Sequence, residues 1–197
     1  MNWWGEPSWL ASRTVTGYSI IDLLFAMAVM LIVAAIAVPQ ALTLVQRPRA
    51  QAAARYLASA MTRAHTEAVM RSATTALRFQ EQDGGFVISE FIDGNRNGVR
   101  TRDIDNGVDL PLRDPIRLSD LFPNVALALS EDGAGGDPVQ IGATTLMSFT
   151  PLGTATSGTI YLRGADGSQF AVRVLGATGR TRVLRYEPAS RDWVEVL

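Results

Sequence analysis

Three groups of side chains in this sequence have the types and spacing to do chemistry. The first is a single carboxylate. Asp22 is the only polar residue between Ile20 and Val38. An acid near the end of so apolar a run either snorkels to a headgroup layer or waits for a cation supplied by another chain. The second group is Asp93, Asn95, Asn97 and Asp103, with Gly98 at the sixth place of the run. Oxygen donors at alternate residues begin a calcium loop in this way. The twelfth place, however, holds Ile104 between Asp103 and Asp105, and Arg96, Arg100 and Arg102 would repel a dication. A plain Asn/Asp/Gly turn is the competing reading. The third group is Arg180, Arg182 and Arg185, whose guanidinium groups could grip phosphates in a salt-dependent way. Against it stands a solvated strand face, or salt bridges between subunits.

Composition removes most other chemistry. The 197 residues include no Cys, a single His (His65) and 18 basic residues, every one an Arg; the formal net charge is −1. Thiolate nucleophiles, disulfides, multi-His metal centres, Schiff-base lysines and the phosphate-loop lysine are therefore excluded. No nucleophile elbow or dinucleotide fingerprint occurs. His65 has no partner with which to bind metal. The chain reads as a non-enzyme, with no cofactor unless calcium occupies the loop at Asp93.

The elements that must carry these groups follow from the apolar pattern. Residues 20–38 form a 19-residue run, about 28 Å long as a helix and so matched to a hydrocarbon core of roughly 30 Å. It lacks a polar face, and membrane embedding follows. Past Pro39 the pattern becomes amphipathic: Leu57, Ala60, Met61, Ala64 and Ala68 make one helical stripe. Pro39 and Pro48 predict bends or local melting. After Ser72 the period shortens, and strands are predicted over residues 74–79, 85–92, 124–129, 145–149, 158–163, 169–175, 182–186 and 193–196. The turn dipeptides Asp83-Gly84, Asn97-Gly98, Asn106-Gly107, Asp132-Gly133 and Asp166-Gly167 fall between them. An antiparallel sheet packed on the amphipathic half of the helix is expected. Charge is also unevenly spread: twelve acids against five Arg between residues 81 and 137, and six Arg against four acids afterwards.

Gly17, Tyr18 and Asp22 stand where the type IV prepilins and type II secretion pseudopilins carry the last leader residue, an aromatic first mature residue and a carboxylate at mature position five. Pro39 falls at mature position 22, where many pilins also have proline. The sequence resembles that superfamily over residues 13 to about 75, with Asp replacing the usual Glu and a leader of no net positive charge. Arg63-Ala-His-Thr-Glu-Ala-Val, Phe91-Ile-Asp-Gly-Asn-Arg-Asn-Gly, Phe149-Thr-Pro-Leu-Gly and the Gly179-Arg180 turn resemble its GspH/FimT branch of minor components.

The resemblance implies an α+β, pilin-like fold: a leader at 1–17, a transmembrane or filament-core helix at 18–39, an amphipathic continuation at 40–72 and a β-rich domain at 73–197. It implies cleavage between Gly17 and Tyr18 by a prepilin peptidase, N-methylation of Tyr18, and assembly with other pilins or pseudopilins through Asp22 and Pro39. The site would be a bacterial inner membrane, spanned once, with the C-terminal domain periplasmic. The positive-inside count, with Arg13 before the span and Arg47, Arg49 and Arg55 after it, argues the opposite orientation. Gly179-Arg180-Thr181-Arg182 is similar to the Gly-Arg-x-Arg motif of FimT-type pilins, which implies DNA binding as an alternative. A secreted domain cleaved after Ala37 is the other.

Overall fold

A computed structural model of the chain describes residues 17, 19–129 and 136–196, with backbone only over 39–47. The leader 1–16, Tyr18 and the predicted turn at Asp132-Gly133 lie outside the described residues. The chain divides into two compact units, Met1–Ala41 and Leu42–Leu197. Helix α1 (Ile20–Arg71) contributes residues to both.

In the first unit every described side chain of α1 from Ile20 to Val38 is exposed. Among the described residues of this unit nothing covers the helix, which accords with its lack of a polar face. The melting expected at the prolines does not occur: α1 is assigned without interruption through Pro39 and Pro48. A proline removes one backbone donor, and the turns on either side keep their own hydrogen bonds.

In the second unit α1 is followed by β1 (Thr75–Gln82), β2 (Gly85–Ile92), α2 (Thr101–Asp105), β3 (Leu110–Pro111), β4 (Ile116–Arg117), α3 (Leu118–Leu121) and β5 (Val125–Ala126). Then come β6 (Val139–Gln140), β7 (Leu146–Phe149), β8 (Gly158–Gly164), β9 (Gln169–Leu175), β10 (Arg180–Glu187) and β11 (Asp192–Glu195). All pairings are antiparallel. The strands form two sheets where one was expected. The first runs β3-β2-β1-β7 with β4 also on β2; the second runs β11-β10-β9-β8-β5 with β6 also on β8. The chain crosses between the sheets three times, after β4, after β6 and after β7, the last time through the turn at Pro151 and Gly153, whose φ is +84°.

Both sheets turn apolar side chains toward α1. Ala50, Ala53, Ala54, Leu57, Met61, Ala64 and Ala68 are fully buried, in one core with Leu77, Phe79, Met147, Phe149, Ile160, Leu162, Phe170 and Val172. Small residues on the helix let its backbone approach closely enough for the Thr75 hydroxyl to donate to the Ala64 carbonyl at 2.7 Å. His65 stacks on Phe149 with ring centroids 5.7 Å apart. Gly179, at φ +61°, closes over that ring, and any Cβ there would meet His65 Cε1 at 2.8 Å. A charged tie adds to the apolar one. Arg113 donates to Glu90 at 3.1 Å and to Glu67 at 3.3 Å, joining β2 and the following loop to the helix. The hydrogen bond from Arg71 holds the Glu67 carboxyl below the usual glutamate range, with the charges of Arg71, Arg113 and Arg63 acting the same way against a smaller opposing effect of burial.

Candidate assembly site

The head of α1 is built by its own first turn. The Ser19 hydroxyl accepts from the Ile21 N–H at 3.3 Å, and the Asp22 carboxylate reaches back to accept from the Ser19 N–H at 3.2 Å. This is a reciprocal capping box in which the carboxylate also faces the positive end of the helix dipole. Asp22 thus has a local partner that the sequence reading missed, although the Ser-x-x-Asp spacing is its signature. Both residues are exposed, and Gly17 before them is exposed with open space around its Cα. The exposed apolar side chains from Ile20 to Val38 follow directly. A helix starting on a paired carboxylate and then bare of polar groups from Leu23 to Val38 cannot stay in water uncovered. It needs lipid or other apolar helices around it.

The other predicted groups separate. The Asp93 carboxylate is 8% exposed and accepts three backbone N–H groups, from Asn95 at 3.0 Å, Arg96 at 2.7 Å and Gly98 at 2.7 Å. Asp109, absent from the sequence-derived set, accepts from Gly94 at 3.1 Å and Arg100 at 3.0 Å. Asn97 donates to neither of these carboxylates; its side-chain amide donates to Asp103 at 3.0 Å, and its N–H to Asn95 Oδ1 at 3.2 Å. The Asp93 and Asn95 oxygens that would face a cation are therefore engaged with the loop's own backbone, and Asp103 with the Asn97 side-chain amide. Among the described residues no group of three or more His, Asp or Glu is disposed to hold a metal ion.

Alternation along β10 divides the three arginines. Arg180 and Arg182 share one face, and Arg185 lies on the other, with Val183 and its neighbour Phe170. Arg182 pairs with Glu195 at 3.3 Å, and Arg185 with Glu187. They do not converge on one site.

A helix that is apolar and capped at its head, then amphipathic and buried under antiparallel sheets, defines an α+β protein of pilin-like layout. The chain belongs to the GspH family: residues 53–179 match the family model for the type II transport protein GspH. No curated protein and no solved structure matches the chain. Family and apolar helix together make it a membrane-anchored, pseudopilin-like protein of type II secretion.

Proposed function

We propose that this chain is a minor pseudopilin or minor pilin: a precursor cut between Gly17 and Tyr18 by a prepilin peptidase, methylated on the new amine, and inserted into a filament by its apolar helix. The observation that carries the reading is the Asp22 cap at the head of a bare helix. Before cleavage the carboxylate serves the Ser19 N–H. After it, a cationic amine stands one residue ahead of that same N–H. Asp22 then has a charge to pair with, its own or that of an adjacent subunit. In the water-poor centre of a filament a subunit out of register would bury one of these charges alone, which costs several kcal/mol. The carboxylate thus sets register, and the chain works by packing rather than by turnover. The periplasmic side is the reading for the domain.

The test is the amino terminus of the mature protein. Mass spectrometry is expected to find a chain beginning at methylated Tyr18, and Gly17→Leu is expected to leave a precursor that still carries residues 1–17. A bulky side chain cannot enter a cleavage site shaped for glycine. A wild-type terminus at Val38 would instead establish a secreted domain, and equal processing of both forms would remove the peptidase.

A further inference from the structure

The outer face of the second sheet carries more positive charge than the ion pairs of the described residues neutralise, although Arg182 meets Glu195 and Arg173 donates to the Thr159 hydroxyl at 3.3 Å. In register across β9 and β10, Arg173 lies directly opposite Arg182, and Arg180 stands opposite Leu175 on the same face. Arg163 of β8, opposite Gln169, joins them. Like charges directly opposed across strands destabilise a sheet. Glu195 answers Arg182 alone; among the described residues no carboxylate forms an ion pair with Arg163, Arg173 or Arg180. Beside the arginines Trp193 packs against both Tyr161 and Tyr186, with centroids 5.5 and 5.3 Å apart and the rings steeply inclined. Rings turned edge-on to each other serve poorly as a stacking platform for bases. Trp, Tyr and Arg together are instead the composition of protein-interface hot spots.

The complementary charge lies in this same chain. At the end of the β1–β2 hairpin Glu81 and Asp83 are exposed, and so is Asp120 of α3, whose chain neighbours Leu118 and Ser119 line the same pocket as Glu81 and Asp83. Glu81 and Asp83 border a 250 Å³ pocket whose other walls include Phe86, Leu118, Val125 and Leu127. The single ion pair there, Asp83 with Arg117, is long at 3.5 Å, and Asp83 is 78% exposed.

We propose that the arginine-bearing face of the second sheet docks on the acidic hairpin end of a second copy of this chain. The contact is heterologous, so each copy keeps one free end of each kind and the contact can be repeated. It depends on charge and on the aromatic cluster, and stands independently of cleavage at Gly17.

The chain has no native cysteine, which makes the test direct. Two differently tagged full-length copies, one Arg180→Cys and one Asp83→Cys, are expressed together and oxidised in the membrane. They are expected to give about tenfold more mixed dimer than Glu187→Cys with Asp83→Cys, where the β10 cysteine is on the opposite face. Adding Arg163→Glu and Arg173→Glu to the first copy is expected to abolish the excess, and raising salt from about 50 to about 500 mM to reduce it. Equal yields from the two cysteine pairs overturn the proposal. So does a cross-link from Arg180→Cys to a different protein only, or protection of that cysteine by added DNA without dimer formation.

Discussion

Asp22→Ala is expected to lower incorporation into assembled filaments by at least about a hundredfold, measured as the fraction of chain recovered with sheared filaments rather than with membranes. The magnitude follows from the charge left behind. A mature amine buried without its carboxylate costs about 3–5 kcal/mol, and each 1.4 kcal/mol is about tenfold. Membrane insertion should not suffer, since the substitution removes the only ionisable side chain from the apolar run. Two further variants separate charge from capping. Asp22→Asn keeps an oxygen for the Ser19 N–H, now 3.2 Å from the carboxylate, and loses the charge. If register depends on the ion pair, Asn behaves like Ala; if Asp22 only caps the helix, Asn assembles like wild type. Asp22→Glu restores both charge and a longer reach, and is expected to retain assembly.

That carboxylate shows how far local pattern can be read. The bare run from Ile20 to Val38 needs no tertiary information, because a helix without a polar face has no way to sit on a soluble core. The turns are local too. Asp83-Gly84 links β1 and β2 with φ of +52° and +72°, the two-residue hairpin that Asp-Gly favours, and β2 and β9 run over the residues that alternation marks. The cap at Ser19 was equally local but lay hidden behind the question of what a charge does in a membrane. A carboxylate read only for its cost was not read for its nearest N–H.

Other features depend on contacts far apart in sequence. Nothing in the pattern of any one strand says that β7 pairs with β1 and β8 with β9, yet this is what splits one expected sheet into two. Strand 124–129 shrinks to Val125–Ala126; Asn124, at φ +66°, is not extended, and residues 127–129 pair with no strand among the described residues. The short elements α2, β3, β4 and α3, each of two to five residues, fall below any periodic signal. What holds the 93–109 excursion is one carboxylate at each end, and only Asp93 was singled out from sequence. Asp109 looks like any loop acid until the fold brings it to Gly94. The arginines of β10 were likewise grouped by proximity along the chain, whereas alternation separates Arg185 from the other two. That division was available from the strand period alone.

The excursion supplies the second large effect. Gly94→Ala is expected to destabilise the folded chain by about 4 kcal/mol, because a Cβ there falls on the Val108 carbonyl oxygen, which is backbone and cannot swing aside. Relieving the overlap costs about 1–3 kcal/mol as overpacking. Any shift of Gly94 also breaks its N–H bond to Asp109, a carboxylate only 1% exposed, and a hydrogen bond to a buried charge is worth about 1.5–3 kcal/mol. For a chain of this size the thermal midpoint should fall by roughly 10 °C, measured on the full chain in detergent. Asn95→Ala, at an exposed position of the same loop, should move it by less than about 2 °C, as surface substitutions do. The same loop decides what calcium does. With the oxygens of Asp93 already accepting the Asn95, Arg96 and Gly98 N–H groups, chelator and added calcium are expected to leave the wild-type midpoint unchanged. A midpoint that rises with calcium in wild type and no longer does so in Asp93→Asn would show that a cation, rather than the backbone, closes the loop.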